Sequence, residues 1–384
     1  MTTGAKIGLM AAIVATTAGS AQDRPSPFSL GGYVKNLHQI GFTEAPGNTE
    51  WSTLLHNRLN FKYEANDKWH ARLEFRNRIL YGDLVRAYPG LPDFIADDAG
   101  WADLSWNLFS TGNALLNITI DRALVRYAGT SWEVTLGRQR INWGRNLIWN
   151  PNDLFNSYNF LDFDYEERPG SDAVRIQYYL DAFSRIELAA KQGDAADDRI
   201  VAALYGFHVG TYDLQLLTGL YQHDWVFGGG WSGNLNNVGF KGEISYFLPL
   251  ASAEPAEEVL SASVSADYSF PDGWYLHGSY LYLSQVVGFP DQVGTLVYLG
   301  VTPKSLMPFR HSAFLQFSRE ITPALQAGLS GVYSPTGQSV ILIPYVGYSL
   351  AENWELDFTG QGFFEFATGA NPAGSLFFRI RWSY

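Results

Sequence analysis

The sequence predicts an all-β fold: a closed transmembrane antiparallel β-barrel of about 18 strands, with 16 as the alternative, and a loop folded into the lumen. Three observations carry this. The final stretch, Ser375 to Tyr384, alternates apolar and polar side chains and finishes on an aromatic. Aromatic residues are 15% of the chain against 17% charged. Aromatic girdles at two membrane interfaces account for that load, and a soluble core does not. Past the N-terminal segment no apolar run is long enough for a spanning helix, and the mean hydropathy is only -0.10.

The elements follow in order. Lys6, the apolar run from Ile7 to about Ala18, and Gly19-Ser20-Ala21 have the charged, apolar and small-residue order of a secretory signal. Residues 1–21 are therefore expected to be removed, and the run is too short to span as a helix, which takes about 20 residues. Residues 22–384 read as a single transmembrane barrel domain. The strand pattern begins near Phe28, which leaves no room for a plug, and no Pro/Gly/Ser linker divides it. The absence of cysteine excludes disulfides and a lipid anchor. A net charge of -12, more negative once Lys6 is gone, argues against nucleic acid as a partner. The expected location is the cell outer membrane of a Gram-negative bacterium. The expected partners are outer-membrane lipid and lipopolysaccharide, the barrel-assembly machinery and a small polar solute. A homo-oligomer remains open, because the lipid-facing positions are too uniformly apolar to single out an interface.

In 68–81 the odd positions read Trp69, Ala71, Leu73, Phe75, Asn77, Ile79 and Tyr81, and the even ones Lys68, His70, Arg72, Glu74, Arg76 and Arg78. Successive strand side chains point to opposite faces, so one set meets lipid and the other water. Leu55, Leu59, Phe61 and Tyr63 repeat this against His56, Arg58, Asn60, Lys62 and Glu64, with Asn66-Asp67 as the hairpin between them. Such strands run well past the 5–6 residues usual in soluble sheets. Short turns (Asn66-Asp67, Ala128–Ser131, Asp181–Phe183, Gly210–Asp213, Pro271–Gly273, Thr322-Pro323, Ala351–Asn353) fit a periplasmic rim. Long connections (39–52, 82–113, 142–171, 286–309) fit the outer one. A simple count gives an odd number of strands. Splitting 213–248 into three passes, with a turn at Asn234–Asn237, restores an even number.

The arginines carry the chemistry. Lys35, Arg58, Lys62, Arg72, Arg76, Arg78, Arg122, Arg126, Arg379 and Arg381 all fall on lumen parity, in the first strands and in the last strand, which closure sets beside them. An arginine facing lipid at mid-bilayer costs about 2–4 kcal/mol, which places these inside. They form a basic stripe that favours anions, since guanidinium forks fit carboxylate and phosphate. The competing reading is neutralisation by Glu64, Glu74 and acids of an inserted loop. That loop is 142–171: Trp143, Trp149, Phe155, Phe160, Leu161 and Phe163 are too apolar for solvent, and Asp153, Asp162, Asp164, Glu166 and Glu167 can meet arginines. It is expected to constrict the lumen, or else to form a lid over the mouth. Asn150-Pro151 predicts a short helix through Asn156.

Asp121-Arg122, then Gly137-Arg138-Gln139-Arg140-Ile141-Asn142-Trp143-Gly144, Asn150-Pro151-Asn152-Asp153-Leu154 and Glu166-Glu167-Arg168-Pro169-Gly170-Ser171-Asp172 resemble porin-like outer-membrane families, including alginate-export-like barrels. The resemblance implies passive or selective solute transport, and a segment after the Gly-Arg-Gln strand that enters the lumen. Arg138 and Arg140 break the parity, because they align with Trp132, Val134 and Leu136; a bulge at Gly137 would turn them inward, and otherwise they sit above the hydrocarbon. No cofactor or metal is expected: the seven histidines show no His-Glu-x-x-His spacing. The function expected is a channel for small polar, anionic solutes, not an enzyme. The alternatives are a polymer-export barrel and, less favoured, an outer-membrane hydrolase, for which His277-Gly278-Ser279 has the residue types but lipid-exposed or rim placement and no committed acid.

Overall fold

The computed structural model describes residues 26–43, 48–162, 167, 170–195, 198–250, 257–286, 300–366 and 373–384. The expected signal segment and the loop acids Asp164 and Glu166 lie outside these. In chain order the strands are β1 (Phe28–Thr43), β2 (Asn48–Glu64), β3 (Trp69–Gly82), β4 (Ser105–Ser110), β5 (Ala114–Ala128), β6 (Trp132–Gln139), β7 (Ser171–Tyr179), β8 (Arg185–Gln192), β9 (Arg199–Val209) and β10 (Tyr212–Tyr221). They continue as β11 (Asp224–Leu235), β12 (Val238–Pro249), β13 (Val259–Ser269), β14 (Trp274–Leu283), β15 (His311–Thr322), β16 (Leu325–Ser334), β17 (Ser339–Ala351), β18 (Trp354–Glu365) and β19 (Ala373–Ser383). Each pairs antiparallel with its neighbours, and β1 pairs with β19, so the sheet closes on itself as a barrel of 18 strands.

The remaining strand, β4, lies in the segment expected to be loop. It pairs with the first half of β5, while the short β6 pairs with the second half, so the two share one column of the wall. Two short helices, α1 (Asp83–Ala87) and α2 (Leu91–Ala96), precede β4 and bury Val85 and Leu91 with Leu115. The first connection is much shorter than expected: β1 and β2 stay in register as far as Thr43 and Asn48. The three passes through 213–248 are β10, β11 and β12, with the last hairpin turning at Asn236-Asn237, where Asn236 takes positive φ. At Asn66 the side-chain Oδ1 accepts from the Lys68 and Trp69 backbone N–H groups and fixes the β2–β3 turn.

The outer face is apolar and ringed with aromatics near the short-turn rim. Trp69, Tyr127 and Trp132 pack in a row, and Trp354, Trp382 and Tyr384 form another. Leu376, Phe378, Ile380 and Trp382 share this outer parity, which is what the closing strand predicted. One polar pair breaks the apolar face. Asn77 donates to Asn57, and Asn57 donates to the Tyr33 carbonyl and the Tyr384 hydroxyl, so neither amide faces lipid unsatisfied. Tyr384 in turn donates to the Arg58 carbonyl across Gly32, where any side chain would collide.

Candidate functional site

The inner wall of β1, β2, β3, β5 and β19 carries the basic set, and the structure divides it in two. At mid-barrel the cations are buried and paired. The Arg58 guanidinium donates to Asp121 at 2.5 Å and to Glu74 at 2.6 Å, and Arg76 reaches Asp121 at 3.3 Å. Arg122 packs against the same knot and meets Glu167 of the loop at 3.7 Å. Arg78 donates to Asn117 Oδ1 beneath α2. Lys35 has inner parity but is fully buried, under Tyr33, so it presents nothing to the lumen.

Towards the short-turn rim the cations are more exposed, and two of them are open. Lys62 and Arg72 are cross-strand partners, both exposed, with no ion pair among the described residues. Arg126 sits near Glu133 at 3.6 Å, Arg379 pairs with Asp357 at 2.8 Å and Arg381 with Glu355 at 3.5 Å. Of the acids expected to neutralise the stripe, Glu74 does so; Glu64 lies beside His70 instead. Glu167 of the loop meets Arg122, and the remaining partners are wall residues, Asp121 above all.

A β-bulge brings Asp121 in. The β3–β5 register slips between Glu74 and Phe75, so Asp121 has no partner opposite it and both Asp121 and Arg122 point inward. The sequence contains the signal: outward apolar residues are even at Ile118 and Ile120, then odd at Ala123, Val125 and Tyr127. At Gly137 φ is positive, but the pairing there stays in register and Arg138 does not turn inward. It remains on the outer face near the long-loop rim, where it binds Asp98 at 2.6 Å, Asp172 at 2.8 Å and the Ala102 carbonyl at 2.7 Å. Arg140 beyond it is exposed.

The loop after β6 enters the barrel and lies on the wall opposite the basic stripe. Trp143 donates from Nε1 to Glu187 at 2.6 Å, and its ring stacks edge-on with Phe155. Trp149, Phe160 and Leu161 pack with Phe314, Val332 and Phe363 on β15, β16 and β18. One buried carboxylate, Glu243 on β12, accepts from the backbone N–H groups of Arg145, Asn146 and Asn152. Asn146 also bonds Ser263 and Ser265, Ser245 donates to Asn152, and Gln361 donates to the Leu161 carbonyl. Asn152 fits because β11 offers Gly228 and Gly230, where a Cβ would lie 3.0 Å from its amide.

No helix forms at Asn150-Pro151. Instead the chain makes tight turns, Asp153 N–H donating to the Asn150 carbonyl and Leu154 N–H to the Asn152 carbonyl, while Glu243 takes the Asn152 N–H. Among the loop acids, Asp153 is buried on the Glu243 side, Asp162 closes a turn with Asn159, and Glu167 meets Arg122. The connection before β15 also turns inward: Leu306, Met307 and Phe309 join the same core, Phe309 seats on Gly337, and Lys304 reaches Asp224 at 2.7 Å. Its Leu-Met-Pro-Phe run is the signal that reading it as an outer loop missed.

His277 and Ser279 face inward, not towards lipid or a rim: the Ser279 hydroxyl lies 3.0 Å from His277 Nε2, and Asp267 is the cross-strand partner of His277. Both are buried, and His277 Nδ1 makes no hydrogen bond among the described residues.

No protein-family model matches the sequence, and no curated protein does. Among solved structures the chain is similar to OccAB4 of Acinetobacter baumannii, with a TM-score of 0.62 at 9% identity, covering 94% of this chain and 98% of that one. It is also similar to OccK11 (OpdR) of Pseudomonas aeruginosa, with a TM-score of 0.58 at 10% identity over 93% and 96%. OccK2 (OpdF) of the same organism, solved in complex with glucuronate, has a TM-score of 0.55 at 10% identity over 93% and 98%. What these likenesses establish is the fold, a closed porin-type barrel of 18 antiparallel strands.

Proposed function

We propose that the protein is an outer-membrane channel for the selective diffusion of small polar, anionic solutes. The observation that carries this is the open cationic stretch of the inner wall. Lys62 and Arg72 stand side by side and unneutralised, continuous with the Arg58–Arg76 row, and the inserted loops occupy the opposite side. A solute kept to the basic side meets guanidinium forks that favour carboxylates. The glucuronate bound by OccK2, a barrel of the same fold, has that chemistry. Narrowing by two inward segments suits small solutes better than the polymer suggested by the alginate-export-like motifs.

The test is reversal potential in planar bilayers under a KCl gradient. Arg72→Gln combined with Arg76→Gln should move the chloride-to-potassium permeability ratio towards unity. Unchanged selectivity would end the anionic reading, and absence of conductance would end the channel reading.

A further inference from the structure

On the outer face, near the long-loop rim, the wall made by β6 to β9 is low, because β6, β7 and β8 are short. The segment 98–104 hangs across its top like an awning. It is pinned by Arg138, which bonds Asp98 and the Ala102 carbonyl, and by a bridge between Gly100 and Gly193. Beneath it lies a groove of about 550 Å³. Its floor is a row of cross-strand partners, Leu136, Val174, Ala190 and Val201, and its roof is Trp101 with Leu104. These residues face away from the lumen: Leu136, Val174 and Val201 are 50%, 45% and 46% exposed, whereas the alternating Thr135, Ala173 and Ala189 are buried. The groove exists because Ala123 and Ala190 leave room between larger neighbours, and Trp101, 74% exposed, overhangs without filling it.

Two cations besides Arg138 line the groove. Arg199, the first residue of β9, shares outer parity with Val201 and is exposed, and Lys191 stands beside Asp172. Neither has an ion pair among the described residues, whereas Arg138 is neutralised by Asp98 and Asp172. An apolar trough at lipid depth with an open arginine at its rim is complementary to an acyl chain that ends in a phosphate. The short turns set the opposite rim in the periplasm, so this groove opens to the outer leaflet.

We propose that the groove beneath 98–104 is a specific site for the phosphorylated, multi-acyl glycolipid of the outer leaflet: an acyl chain lies on Leu136, Val174, Ala190 and Val201, and Arg199 holds the phosphate. This rests on the outer-membrane placement given above but not on conduction of any solute.

The experiment is native mass spectrometry of the detergent-purified protein titrated with hexa-acylated, bis-phosphorylated lipid A, with phosphatidylethanolamine as the comparison lipid. One lipid A should bind per barrel in preference to phosphatidylethanolamine. Arg199→Glu should weaken it about tenfold, the loss of one charge-assisted contact. Ala190→Trp, which fills the floor and leaves the charges, should weaken it as much. Retained affinity in both variants, or equal binding of the two lipids, would overturn the proposal. Loss in Arg199→Glu alone would overturn the acyl-chain part, with the phosphate bound elsewhere on the rim. Bilayer conductance of the same variants should be unchanged, so a failed lipid site and a failed channel reading remain separate results.

Discussion

Glu243 is the point at which the lumen can be opened by one substitution. Its buried carboxylate accepts from three backbone N–H groups, those of Arg145, Asn146 and Asn152, and so fixes the loop at both ends of an eight-residue stretch. Hydrogen bonds to a charged acceptor are worth about 1.5–3 kcal/mol each, so the gross loss in Glu243→Ala is about 5–9 kcal/mol. Part of that is returned, because the wild type keeps a carboxylate out of water at a cost of several kcal/mol. A net loosening of about 3 kcal/mol is expected, confined to 145–152. Trp143 with Phe155, and Phe160 with Leu161, lie outside that stretch and stay docked by apolar burial. Single-channel recording of Glu243→Ala should show larger mean conductance and added open-state noise, and limited proteolysis should cut within 142–162. Glu243→Gln keeps the shape and one acceptor, so its effect should fall between. The barrel itself should melt as before, since no strand pairing is touched. A Glu243→Ala protein with wild-type noise and a protease-resistant loop would refute the view that this carboxylate latches it.

Asp121→Asn removes the acid between Arg58 and Arg76, so anion preference should rise about fivefold for roughly 1 kcal/mol, and thermal stability should fall because a buried pair is broken; equal selectivity would mean that solute does not sense the knot. Gly228→Val sets a Cβ against the Asn152 amide and the Ile244 carbonyl, and should loosen the loop by about 1–3 kcal/mol, read by the same proteolysis. Phe309→Ala should release the 300–310 segment at about 3–5 kcal/mol, while Lys304→Met costs about 1–3 kcal/mol, because it leaves the buried Asp224 carboxylate without its cation; a larger loss in Lys304→Met than in Phe309→Ala would show that charge, not packing, holds this segment.

The barrel was legible because period-two alternation is written into every strand, and closure forces an even count that exposed the β11–β12 hairpin. The same alternation gave the expectation for the arginines, since lipid at mid-bilayer disfavours the other face, yet near the rim Arg138 and Arg199 occupy that face. What alternation does not record is register between strands. The bulge at Asp121 is a relation between β3 and β5, and it appears in one sequence only as a change of outer parity from Ile120 to Ala123. The loop's partners were hidden for a different reason. Counting its acids suggested arginines opposite, but its polar attachments are largely its own backbone N–H and C=O groups, held by Glu243, Ser245, Ser263 and Gln361. A backbone donor has no letter in a sequence.

The inserted loop also dictates an order of events. It follows β6, yet what holds it comes later in the chain: Asn146 bonds Ser263, 117 residues on, and the Leu161 carbonyl accepts from Gln361, 200 residues on. The loop's attachments can therefore form only once β13 and β18 are in place, which makes its docking a late step of assembly. The seam between β1 and β19, where Gln39 meets Ser375 across 336 residues, spans a longer stretch of chain still and carries the larger loop-closure cost.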